Sequence, residues 1–107
     1  MAQATFSVLV FDMALTGEPD GERRIDGFAT LAAAQAYAEA RMRASIEELR
    51  SENQTAAELS SLWHIYGEDC VVLGGDFNGR DHLARYIATP AMPEQRDWLS
   101  LAPSCET

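Results

Sequence analysis

The first clear pattern along the chain is an apolar run over residues 5–13, TFSVLVFDM. Its residues are mostly β-branched or aromatic, which predicts a strand. Phe6, Val8 and Val10 point to one side of this strand. Leu9, Phe11 and Met13 point to the other side. Because both sides are apolar, we expect a central strand. We expect this strand to be covered by helices on both faces, or by helices on one face and by a partner chain on the other.

Turn residues follow at positions 14–22, where Gly, Pro and Asp are concentrated. Residues 23–28 then predict a short edge strand. From Thr30, which can cap a helix, apolar residues recur at spacings of three and four. This period predicts a helix of about twenty residues, with a row of polar residues along its other side.

A second helix is expected at residues 56–66. Thr55 and Glu58 have the spacing of a capping box, and Gly67 stands where a left-handed residue often ends a helix. The alternative is a strand at residues 62–66 that pairs with the apolar residues 70–73. The capping box and the terminal glycine favour the helix.

The rest of the chain predicts a buried strand at 70–73 and two further helices, at 79–88 and 93–101. Asn78 can cap the first of these helices, and Pro93 suits the first turn of the second. Together the elements predict an α+β fold, a small and mainly antiparallel sheet of about three strands with three to four helices packed mainly on one face. We expect one domain over residues 1–101 and a flexible tail at 102–107.

A sheet this small is not expected to cover both faces of its first strand, so we expect a homodimer. The candidate interface combines one side of that strand with one side of the long helix. Its residues are Phe6, Val8, Val10, Ala33 and Tyr37.

Charge narrows the possible partners. The chain has 17 acidic and 8 basic residues and a net charge of −9, and every base is Arg. Binding to nucleic acid or to an anionic membrane surface requires a basic patch, which the sequence lacks. The excess of acid either serves a basic protein partner or only maintains solubility. Mimicry of nucleic acid would require the acids to share one face, whereas along the sequence they are scattered.

Cysteine usage and hydropathy indicate the compartment. Cys70 and Cys105 form no CxxC pair, and the first residues lack the basic segment of a secretory signal. No stretch reaches the roughly 18 apolar residues of a membrane span. We therefore expect a cytoplasmic protein, and the Ala-rich, Lys-free composition suits a small domain of bacterial type.

Polar residues that could carry chemistry are densest between His64 and His82. The spacing of the two histidines matches no compact metal site, so we expect no metal and no cofactor. The Gly-rich loop at 74–80 departs from both phosphate-binding motifs, and no Ser or Cys stands in a nucleophile motif, so we assign no catalytic residue. A ligand site in this region would use His64, Asp76, Arg80, His82 and Tyr86.

Two functions remain open. The first is a small acidic interaction or regulatory module, homodimeric, with a protein partner. The alternative is a small-molecule-binding protein or small enzyme with a site around residues 64–86, and the balance is against an enzyme. A pocket lined by Trp63, Cys70, Asp76, His82 and Tyr86 would favour the alternative.

Overall fold

The structure is a computed structural model that describes residues 5–103 as an antiparallel sheet with helices on one face, which confirms the α+β fold. In chain order the strands and α-helices are β1 (Phe6–Asp12), β2 (Glu22–Phe28), α1 (Leu31–Leu49), α2 (Ala56–Tyr66), β3 (Glu68–Leu73) and α3 (Leu83–Ala88). Short 3-10 turns connect them and follow α3.

The strand order is β2-β1-β3, and both pairs are antiparallel, so β1 is central and β2 is an edge strand, as expected. Val10 of β1 lies opposite Arg23 of β2 and Cys70 of β3. The register of β1 with β2 shifts between Phe6 and Val8. Gly27 lies in the opposing segment with a φ of 101°, a left-handed conformation that favours glycine.

The two faces of the sheet have different environments. Val8 and Val10 are buried in one cluster with the apolar residues of α1. Cys70 and Val72 of β3 join the same cluster. The residues that alternate with them, on the other face, lie outside this core and remain partly exposed: Leu9, Phe11, Val71 and Leu73. Each apolar face of β1 was expected to be covered, and the described residues cover only one of them.

The caps of the two longer helices are formed by the residues that the sequence indicated. The hydroxyl of Thr30 accepts a hydrogen bond of 3.0 Å from the amide of Ala33. Thr55 and Glu58 form the reciprocal capping box of α2. Helix α2 runs to Tyr66, so the alternative of a strand at residues 62–66 is wrong.

Gly67 ends α2 for a different reason from the one expected. Its φ is −81°, which is not left-handed. A Cβ at this position would overlap the indole ring of Trp63, which is fully buried. The glycine therefore allows the chain to leave the helix directly across that ring.

The C-terminal helices differ from the expectation. Residues 79–88 divide into a 3-10 turn, Gly79–His82, followed by α3. Residues 93–101 form two 3-10 turns instead of one helix, because Asp97 between them has a ψ of 68° and accepts a hydrogen bond from the amide of Ser100. Leu101, the last residue of the second turn, is 42% exposed. Cys105 and most of the expected tail lie outside the described residues.

We predict that Gly67→Ala lowers the free energy of unfolding by about 2 kcal/mol, because the new methyl group must displace the packed ring of Trp63. Chemical denaturation followed by tryptophan fluorescence measures this change. Gly75→Ala is the matched control, since the nearest atom to its new Cβ is the end of the Leu31 side chain at 3.1 Å. Equal stability of the two variants would contradict the explanation.

Candidate functional site

The five residues proposed for a ligand site do not converge on one place. His64 and Arg80 line a common groove of about 710 Å³ between α2 and α3. Asp76 is exposed in the turn after β3. It lines neither this groove nor the cavity beside the turns that follow β1. The sequence therefore identified two residues of one groove, but not the groove itself.

His82 and Tyr86 belong to a separate aromatic stack. The imidazole of His82 is parallel to the ring of Phe77, with 5.1 Å between centroids, and lies 5.8 Å from the ring of Tyr86. Tyr86 is buried, and its burial raises the pKa of its hydroxyl. The guanidinium of Arg43 lies 4.7 Å from the centre of the same ring. Such contacts are typical of side chains that pack against one another in the protein.

The pocket that would have favoured a ligand site around Cys70 is not formed. Trp63 and Cys70 have no exposed surface and belong to the core. Burial also raises the pKa of the Cys70 thiol, which keeps it protonated and unreactive.

The residues proposed for a partner interface are mostly inside the molecule. Val8, Val10 and Tyr37 are buried in the core of the chain itself. Phe6 is half-buried against the core, and Ala33 is exposed on α1. The face of the sheet that a partner can reach is the one that carries Leu9, Phe11, Val71 and Leu73 instead.

That open face ends in a second cavity, of about 640 Å³, beside the turns that follow β1. Phe11 and Val71 contribute apolar surface to it. Four carboxylates line the cavity against a single basic side chain, Arg80: Asp12, Glu18, Glu22 and Asp69.

Asp69 is the unusual member of this group. Its side chain is 7% exposed, and its Oδ1 atom is buried without a hydrogen-bond partner in the part of the chain that the structure describes. The closest ion pair joins its Oδ2 atom to Nε of Arg80 at 3.6 Å. Burial raises the pKa of this carboxyl, and the positive charge of Arg80 offsets only part of that effect. Sequence reasoning assigned no role to Asp69, because only the register of β3 shows that it faces away from the helices.

Other classes of site find no support among residues 5–103. In this part of the chain no group of three or more His, Cys, Asp or Glu is arranged to hold a metal ion. None of its helices has the length and apolar character needed to cross a membrane. No family model matches the chain, and no significant match to it is found among curated proteins or solved structures.

We predict that Asp69→Asn raises the free energy of unfolding at neutral pH by about 1 kcal/mol, because it removes a buried and incompletely paired charge. The pKa of Asp69 is higher in the folded than in the unfolded chain, so its buried charge destabilises the fold fully at pH values above the folded pKa. This destabilisation disappears as the pH falls through the folded pKa and then the unfolded pKa.

Chemical denaturation of wild type and variant at several pH values measures this difference, which should shrink toward acid. Asp76→Asn, at an exposed carboxylate, should show no such trend. A loss of stability in Asp69→Asn that is the same at every pH would contradict the prediction.

Proposed function

We propose that this chain is a small protein-interaction module that works as a homodimer assembled through the open face of its sheet. The observation that carries the proposal is the apolar patch of Leu9, Phe11, Val71 and Leu73. Leu9 lies directly opposite Val71, so the patch is continuous across β1 and β3. Apolar surface of this kind gains stability when a second surface removes it from water.

The edges of the sheet are less suited to association than its face. Glu22, Arg24 and Asp26 make β2 a charged edge. Along the other edge, the amide of Val72 in β3 already donates to the carbonyl of Phe77 at 3.1 Å. Both edges thus carry features that oppose the addition of a strand from another chain.

A second copy of the chain is the partner that this face favours. Glu22 and Arg24 lie opposite Phe11 and Leu9, and Asp26 accepts a hydrogen bond from Ser7, so all three belong to the open face. Their charges alternate in sign, and within the chain Arg24 already pairs with Asp26 at 2.7 Å. In a two-fold dimer the same patch meets itself, and such a row can place Arg24 of each copy against Glu22 of the other.

We predict that the wild-type chain has twice its monomer mass of 11.8 kDa in light scattering, and that Leu9→Arg raises the dimer dissociation constant at least tenfold. The arginine would leave a charge unpaired within the buried patch. Ile65→Arg is the matched control, because Ile65 is an apolar residue that is 52% exposed on α2.

Circular dichroism tests whether both variants fold. A wild-type chain that stays monomeric at the highest soluble concentration would exclude the dimer. Equal dimer dissociation constants for Leu9→Arg and Ile65→Arg would show that the interface lies elsewhere.

The second candidate function is binding of a small molecule at a site around residues 64–86. The groove that brings together His64 of α2 and Arg80, in the turn before α3, favours it.

A further inference from the structure

We propose that the groove between α2 and α3 binds a small organic anion with an apolar body, such as a medium-chain carboxylate. This inference rests on the second candidate function and not on the dimer. The groove is formed by the helical layer, so its ligand can be tested without reference to the sheet.

Small side chains create the space. Ala56 and Ala57 on α2 and Ala84 and Ala88 on α3 line a groove of about 710 Å³, within the range of roughly 300–1,000 Å³ typical of small-molecule sites. The bottom of the groove is apolar. Its larger apolar side chains are Leu59, Leu83 and Ile87, which are at most 7% exposed. A ligand with an apolar body would cover the alanines and this floor together.

The charged residues that line the groove are all of one sign within the described part of the chain. Arg50 and Arg80 line it together with His64, and no Asp or Glu of residues 5–103 does so. This is unusual in a chain with 17 acidic and 8 basic residues. The rest of the lining is apolar or uncharged, so the exposed charge of Arg80 makes the groove complementary to an anion.

The two arginines have different roles. The guanidinium of Arg50 donates to both carboxylate oxygens of Glu47 and to the carbonyls of Tyr86 and Ile87. These bonds neutralise Arg50 and fix it as part of the wall. Arg80 is 57% exposed, and among residues 5–103 its ion pair to Asp69 is 3.6 Å long. Charge-assisted hydrogen bonds are usually about 2.7–2.9 Å, so Arg80 has donors to offer an anion.

His64 contributes a polar group to the wall of the groove and not a donor for the anion. Its Nδ1 lies 2.8 Å from the carbonyl oxygen of Ser60. Because a carbonyl only accepts, Nδ1 carries the proton, and in the neutral imidazole Nε2 is then an acceptor that cannot donate to an anion. The arrangement therefore places the anionic head near Arg80, with the apolar body along Leu83 and Ile87.

Titration of the isotope-labelled chain with decanoate, 1-decanol and acetate, observed by NMR, tests the proposal. We expect decanoate, below its micelle concentration, to bind at least tenfold more tightly than 1-decanol and to shift the amide signals of α2 and α3. Acetate, which lacks the apolar body, should not saturate at millimolar concentration. Equal binding of decanoate and 1-decanol, or shifts confined to the sheet, would overturn the proposal.

Two variants distinguish the contribution of the anionic head to binding from that of the apolar body. Arg80→Gln should weaken decanoate binding at least fivefold and leave 1-decanol unchanged. Ala84→Trp should fill the groove and weaken both. Arg23→Gln, at an exposed arginine of β2, is the matched control and should bind as the wild type does. Unchanged decanoate binding by Arg80→Gln would overturn the proposal, whereas a monomeric wild-type chain would overturn only the dimer.

Discussion

The buried side chain of Arg41 holds the helical layer, the sheet and the C-terminal segment together. Its guanidinium donates to Glu68 at 3.0 Å and to the hydroxyl of Tyr37 at 2.7 Å, and it lies 4.2 Å from the ring centre of Trp98. An isolated charge in this position would cost far more than the pair contributes. The contacts of Arg41 therefore join helix α1, the first residue of β3 and the last 3-10 turn.

The same network lies on the side of the sheet that the helices cover. The hydroxyl of Ser45, one turn after Arg41, accepts hydrogen bonds from the indole of Trp63 and from the amide of Glu68. Arg41 pairs with the side chain of Glu68, which therefore lies on the helical side. Since side chains alternate along a strand, Cys70 also points inward, and its partner Val10 in β1 is buried in the same cluster. Which face of the sheet is open thus depends on contacts between residues that are distant in the sequence.

This dependence explains how far the sequence could be interpreted. Local signals were sufficient for α1, for α2 with its capping box, and for the edge strand β2, because each depends on neighbouring residues. The choice between the two apolar sides of β1 depends instead on long-range packing and pairing, such as the contact of Arg41 with Glu68, 27 residues away. The candidate groove is of the same kind, since His64 and Arg80 meet only where α2 approaches α3. The spacing of apolar residues predicted one helix at 93–101. It gave no sign that Asp97 caps the last turn and divides this segment in two.

The charge of the chain shows the same limit. Along the sequence the acids are scattered, and the net charge of −9 alone says little about partners. In the folded chain four carboxylates line the cavity at the end of the open face, and no carboxylate of residues 5–103 lines the groove between α2 and α3. Arg80 lies at the boundary and lines both cavities. A ligand therefore meets a local field that can differ in sign from the net charge, and this local field is what determines which chemistry each surface favours.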